Sequence, residues 1–182
     1  TCGAGTVVQT GDFKIDTTPI DDFVIDIGRF SELGKQGGLA LMSDSTNAAR
    51  PGYTPSERIV GETFSKFFSQ AGDSRIIVAT FSSNIHRIQQ IIDEAVHCGR
   101  KVAVSGRSMI NVVSVASELG YLNVPDNVLV DIDMIKNYPA NEMVIVTTGS
   151  QGEPMSALHR IAFSEHRQVE IIPGDMIIIS EN

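Results

Sequence analysis

Apolar residues change their period along this chain, and the change is clearest between Arg75 and Gly106, RIIVATFSSNIHRIQQIIDEAVHCGRKVAVSG. The β-branched run Ile76 to Val78 ends in the polar turn Ser82-Ser83-Asn84 and reads as a buried strand of parallel type. Ile85, Ile88, Ile91, Ile92, Ala95 and Val96 then recur three and four apart, which predicts an amphipathic helix of about four turns. Ser83 or Asn84 can cap its start, and Gly99 supplies a left-handed stop. Val102 to Val104 form the next strand. A strand, a crossover helix and a strand make a βαβ unit, which fixes the two strands as parallel. Ligands of such sheets sit beyond the strand carboxyl ends.

Elsewhere the same reading gives shorter elements. Gly5 to Gln9 predicts a strand, and Phe13-Lys14-Ile15 alternates as if the sheet continued after a turn. Asp16 to Phe30 is acidic and irregular and leads into a short helical piece through Leu33. Its Asp16, Asp21, Asp22 and Asp26 lack EF-hand spacing, so a solvated connector is favoured over a calcium loop. Gly38 to Met42 predicts a buried strand. Thr54-Pro55-Ser56-Glu57 reads as a capping box, with Thr54 as the cap of a helix burying Ile59, Val60, Phe64, Phe67 and Phe68. Ser108 to Leu119 predicts a helix, Val128 to Val130 an edge strand, Met134 to Tyr138 a single helical turn, and Met143 to Val146 a strand. Pro154 opens a helix through about Phe163, and Gln168 to Ile172 with Met176 to Ser180 read as a terminal hairpin about Pro173-Gly174-Asp175.

Composition narrows the class. The chain has 182 residues, 42% of them hydrophobic, and a formal net charge of −8. That length can bury one core, and no apolar run reaches the roughly 20 residues that span a bilayer. No signal-peptide pattern is visible, which points to a cytoplasmic protein. Cys2 and Cys98 lie far apart without zinc-finger spacing and fit a reducing compartment. The acidic balance argues against a simple basic DNA-binding module, so a nucleic acid would have to meet a local groove.

The candidate chemistry is collective. Four apolar strands run out into small polar clusters: Ser43-Asp44-Ser45-Thr46-Asn47, Ser82-Ser83-Asn84 with His86, Ser105-Gly106-Arg107-Ser108, and Thr148-Gly149-Ser150-Gln151-Gly152-Glu153. In one parallel sheet these would line one edge and form a cleft rim. Hydroxyls, glycines and backbone N–H groups suit a phosphate-bearing ligand, with Arg107 and His86 as further donors. Each cluster taken alone reads more readily as helix caps, and it is the four together that favour a ligand. Asp44 and His86 could pair as carboxylate and imidazole to orient a metal ligand or handle a proton. His97, His159 and His166 show no ligand spacing, and GxSxG, Walker A and GxGxxG are absent.

Val7-Val8-Gln9-Thr10-Gly11-Asp12-Phe13-Lys14, Leu41 to Ala48, Ser83-Asn84-Ile85-His86-Arg87, Gly106-Arg107-Ser108-Met109 and Thr148-Gly149-Ser150-Gln151-Gly152-Glu153-Pro154-Met155, in this order, resemble ribonuclease J, a family of the metallo-β-lactamase superfamily with an inserted β-CASP domain. The resemblance covers nearly the whole chain. It implies a metal-dependent RNA hydrolase, both 5′-to-3′ exonuclease and endonuclease, acting on single-stranded RNA. It also implies a two-metal site of zinc, with manganese or magnesium supporting activity, and a dimeric or tetrameric parent. The fold it implies is a three-layer α/β/α sandwich with a mainly parallel sheet, plus flanking strands of a metallo-β-lactamase domain.

By residue, the resemblance makes Asp12 a metal ligand and places Asp44 and His86 at the catalytic site. It places Arg107 and the Ser150-Gln151-Gly152 loop on the RNA path, and the strand-end reading adds Ser82, Asn84, Arg87 and Ser108 as RNA- or phosphate-binding residues. Residues 1–35 would belong to the lactamase segment and its connector, 36–172 to the β-CASP domain, and 173–182 to the return into the lactamase domain. The family's HxHxDH motif and its later histidines are not found among these residues. Their places fall before Thr1 and after Asn182, and the isolated chain is expected to bind no metal and to be inactive. The alternative from another class is a non-catalytic nucleotide- or RNA-binding α/β module.

Overall fold

The computed structural model describes all residues except 2, 21, 22 and 182, so Cys2, Asp21 and Asp22 lie outside the described residues. The chain divides into two compact units, Thr1–Arg58 and Ile59–Asn182.

The first unit holds a two-stranded parallel sheet of β1 (Val7–Gln9) and β2 (Ala40–Met42), with α1 (Ile27–Gln36) between them in sequence. Asp26 caps α1 by accepting from the Arg29 backbone N–H at 2.8 Å. Two expectations change here. Phe13-Lys14-Ile15 adds no strand, and β2, expected to be buried, is exposed along all three residues. A three-residue strand with one neighbour has no layer to cover it.

The second unit is a five-stranded, all-parallel sheet in the order β5-β4-β6-β3-β7, made of β3 (Ile76–Ala79), β4 (Lys101–Ser105), β5 (Leu129–Val130), β6 (Met143–Thr147) and β7 (Met176–Ile179). The expected βαβ unit is present through α3 (Ile85–His97), but β6 lies between its two strands. Side chains alternate strictly between two faces, as a pleated sheet requires. Ile76, Val78, Val102, Val144, Val146 and Ile178 pack with α2 (Glu57–Gln70), α3 and α4 (Arg107–Glu118) through Phe64, Phe68, Ile88, Ile91, Ile92, Met109 and Val113. Ile77, Ala103, Met143 and Ile145 pack the other way, against Ile161 of α5 (Ala157–Ala162), Ile135 of the 3-10 turn Ile132–Asn137, and Val169. Helices therefore cover both faces, which is the expected three-layer α/β/α sandwich. A sheet covered on both faces has no polar side to mark in sequence, hence the continuous apolar strands.

Helix starts differ from the sequence reading in two places. Ser56, not Thr54, meets the first turn of α2, its Oγ accepting from the Arg58 N–H at 3.3 Å, while Glu57 pairs with Lys14 at 3.1 Å. Pro154 and Met155 stay outside α5, whose cap is Ser156, accepting from the His159 N–H at 3.3 Å. The terminal hairpin does not form, because residues 168–172 make no strand and β7 joins β3 in parallel. The reason is local: the Val169 N–H is taken by His166 Nδ1 at 3.1 Å and the Ile172 N–H by Asp175 Oδ2 at 2.9 Å. No described helix is long and apolar enough to cross a membrane.

Candidate nucleic-acid interface

The carboxyl ends of β3, β4 and β6 define the site. β4 and β6 are neighbours, yet β4 continues into α4 on one face of the sheet and β6 into α5 on the other. Where adjacent strands send their helices to opposite faces the loops part, and a crevice opens at the carboxyl edge. An open cleft of about 780 Å³ lies there, bordered by Thr80 to Ser82 after β3, Gly106 to Ser108 with Asn111 after β4, and Thr148, Gly149 and residues 153–157 with Arg160 after β6.

Two glycines shape its walls. Gly106 has φ +101°, and a Cβ there would stand 3.0 Å from Thr148 Oγ1. Gly149 has φ +109°, and its Cβ would collide with the Ser156 side chain, 2.9 Å from Ser156 Cβ. Both positions thus need glycine for conformation and for space. Gly106 leaves the α4 start without a side-chain cap.

The polar lining combines two guanidiniums, Arg107 and Arg160, with hydroxyls and Asn111, which both donate and accept, and one carboxylate, Glu153. Arg107 is exposed and forms no ion pair among the described residues. Thr80 is fully buried, and its Oγ1 has no hydrogen-bond partner among the described residues. Arg160 adds a second guanidinium, its Nε likewise buried without a partner. Glu153 is the one carboxylate on the lining, and its Oε2 accepts from the Gln151 N–H at 3.2 Å.

Behind β4, Ser105 Oγ lies 2.8 Å from His166 Nε2. Since His166 Nδ1 accepts from the N–H groups of Gln168 and Val169, the proton of the neutral ring sits on Nε2 and is donated to Ser105. Burial, and then the charge of Arg160, push the His166 pKa below its ordinary value. A histidine that donates to serine cannot take the serine's proton, so this pair is not a nucleophile and its base.

The residues singled out in the sequence separate as follows. Ser82, Arg107 and Ser108 border the cleft. Asn84 accepts from the Arg87 N–H at 3.1 Å as the cap of α3. Arg87 is buried, its Nη1 donating to the Glu181 carbonyl at 3.1 Å, while His86 is exposed on the first turn of α3 and off the cleft lining. Ser150 is buried with its Oγ unpartnered among the described residues, and Gln151 and Gly152 are exposed; none of the three is on the cleft lining. The four clusters do not share one edge: three belong to the five-stranded sheet, and Ser43 to Asn47 follows β2 in the first unit. There the parallel pairing brings Asp12 and Asp44 to the same edge, since β1 and β2 run out together and the Asp44 N–H donates to Thr10 Oγ1 at 3.1 Å. The Thr46 hydroxyl, at 2.7 Å, and the Thr46 N–H hold the Asp44 carboxyl below its ordinary pKa. Asp44 and His86 fall in separate units.

Thr80, Asn111 and Arg160 were not marked by sequence, whereas Glu153 closes the polar cluster noted after β6. Thr80 adjoins a cluster already noted, but Asn111 and Arg160 lie one helical turn in, where only the three-dimensional crevice selects them. Among the described residues no three His, Cys, Asp or Glu side chains are grouped to hold a metal ion, and Asp12 stands exposed at its turn. Among the described residues, Asp12 is therefore not grouped with the further side chains that the two-metal site implied by the resemblance would need.

A parallel sheet covered by helices on both faces, with a crevice at its carboxyl edge, defines a doubly wound α/β domain. The particular family follows from comparison with known proteins. The sequence model of the family described as Ribonuclease J, beta-CASP domain, matches residues 73–182. The chain is 48% identical over 177 residues to Ribonuclease J of Helicobacter pylori (strain J99 / ATCC 700824), covering 97% of this chain and 25% of that protein. It is 47% identical over 178 residues to Ribonuclease J of Thermus thermophilus, covering 98% and 31%, and 46% identical over 177 residues to Ribonuclease J2 of Bacillus subtilis, covering 97% and 32%. The chain belongs to the ribonuclease J family and carries its β-CASP domain. It spans a quarter to a third of the length of these relatives.

Proposed function

We propose that this chain is the RNA-holding part of a ribonuclease J-type hydrolase, and that the crevice between β4 and β6 seats a phosphate of single-stranded RNA. The observation that carries the reading is a lining shared by Arg107, which forms no ion pair among the described residues, and Thr80, whose buried hydroxyl has no partner among them, at a switch in helix direction. A phosphate monoester offers such donors several acceptor oxygens and close to two negative charges.

In this reading the parent cleaves RNA both from the 5′ end and internally, in the cytoplasm, as a homo-oligomer. Asp12 and Asp44, brought to one sheet edge, serve the reacting end. Zinc, or manganese or magnesium, is held mainly by ligands outside these residues, with Asp12 adding one carboxylate. The isolated chain then binds RNA without cutting it. What its own residues do is orient: Arg107 neutralises a phosphate, Thr80 and the loop N–H groups fix its oxygens, and Gly106 and Gly149 let the backbone come close.

Fluorescence anisotropy with a short RNA tests this. The 5′-monophosphorylated form should bind several-fold tighter than the 5′-hydroxyl form, more weakly as salt rises, and Arg107→Ala should cost roughly five- to tenfold. Binding indifferent to the phosphate, to salt and to Arg107→Ala would refute the assignment.

A further inference from the structure

We infer that the domain has a second ligand site, away from the crevice, in the recess between residues 164–172 and the 3-10 turn Ile132–Asn137, and that it takes a nucleoside monophosphate, the base against Tyr138 and the phosphate at Lys136 and Arg167. The recess holds about 440 Å³, inside the range of roughly 300–1,000 Å³ of small-molecule sites. Arg75 and Met143 on its lining stand at the amino ends of β3 and β6, so it reaches the sheet edge opposite the crevice. Its wall is fixed in place. Residues 164–172, which make no strand, are tied down by His166 Nδ1 accepting from Val169, by Arg75 Nη2 donating to the Glu170 carbonyl at 2.6 Å, and by Asp175 accepting from the Ile172 N–H. A recess held open in this way costs a ligand little ordering.

Its lining has two chemistries side by side. Ile135, Met143 and Val169 are buried members of the core on this face and floor the recess, and the half-buried Tyr138 packs against the same cluster. Lys136 and Arg167 are exposed on the lining and form no ion pair among the described residues, in a chain whose net charge is −8. Glu170 is the one carboxylate on the lining, set against those two cations, while the charge of Arg75 is already met by Asp175. His166 is wall and not donor, since both its ring nitrogens are engaged. A bare anion would leave the apolar floor uncovered, and an apolar ligand would leave the cations unanswered. A nucleotide carries a flat ring for the tyrosine and a phosphate for the cations, and the Gln168 side-chain amide can donate and accept at a base edge. The nucleotide could be free or one unit of an RNA chain, and both present the same chemistry.

The experiment is a titration of the ¹⁵N-labelled chain with AMP, with adenosine and inorganic phosphate as its two halves, and with a short 5′-hydroxyl RNA. AMP should shift the amides of residues 136–138 and 164–170 to saturation, and either half alone should need roughly tenfold more. Lys136→Ala with Arg167→Ala should raise half-saturation about tenfold, and Tyr138→Leu, which keeps apolar packing, by about as much. The two cations are exposed, so the double variant leaves the core intact, and its unshifted remaining amides will report that. If the RNA shifts the same amides and AMP displaces it, the site holds a nucleotide within a chain; if only AMP shifts them, it holds the free mononucleotide. Amides of both segments unmoved by AMP, inorganic phosphate or adenosine binding as well as AMP, or an unchanged affinity in the double variant would each overturn the site. None of these would touch the crevice reading, whose amides lie in other segments.

Discussion

His166 shows how one side chain can hold two segments that sequence keeps 61 positions apart. Its ring accepts from two backbone N–H groups on one side and donates to Ser105 on the other, so protonation would set an N–H against N–H donors. Its pKa is lowered in the fold, so between its unfolded value near 6.5 and its folded value the unfolded chain binds more protons. Its contribution is therefore complete above about pH 6.5 and is lost as pH falls from there toward the folded pKa. The urea midpoint should fall from pH 7.5 to pH 5.5, and His166→Gln should flatten that fall. An unchanged slope in the variant would show that another group is responsible. None of this was readable in sequence, where His166 showed only an absence of ligand spacing. By contrast Asn84, noted as a cap, caps α3. Caps are local, and local chemistry is what a sequence displays.

At the scale of elements, strands β3, β4 and β6 and helices α3 and α4 were legible because each combines an apolar period with a polar or glycine stop. The failures fell where side-chain acceptors took over backbone N–H groups that the pattern had assigned to a strand. The segment after α5 looks like half a hairpin until its N–H groups are seen to be occupied by His166 and Asp175. The same Asp175, just before β7, forms a two-pronged pair with Arg75, just before β3, at 3.0 Å from Nε and 2.5 Å from Nη2. The Asp175 side chain is 2% exposed and that of Arg75 11%. The pair sits at the start of two adjacent parallel strands, whose register it pins together with the Met176 N–H to Arg75 carbonyl bond of 2.8 Å. Removing one partner strands a buried charge, so Asp175→Ala should destabilise the chain by about 3 kcal/mol in urea unfolding. A loss under about 1 kcal/mol, the range of exposed pairs, would mean that water reaches Arg75 and that β7 is held by its ladder alone.

Over the whole molecule, the class of fold was visible in the alternation of apolar strands and amphipathic helices, and the family in five short motifs. The architecture of the site was not, because strand order is a long-range property. Nothing in the sequence says that β6 inserts between β3 and β4, yet that insertion sets neighbouring strands against helices on opposite faces and opens the crevice. It also brings Asn111 and Arg160, which no motif marks, onto the same lining as Ser82, Arg107 and Ser108. The overall charge of −8 is no obstacle to RNA at such a place, because the local lining sets the field that a phosphate meets. The most direct test is photocrosslinking of a 5′-monophosphorylated RNA carrying 4-thiouridine at its first position, with the modified peptides identified by mass spectrometry. Crosslinks confined to residues 80–82, 106–111 and 148–160 are the expected result. Crosslinks that avoid all three segments and map instead to the exposed surfaces of α2 or α3 would contradict the placement of RNA in the crevice.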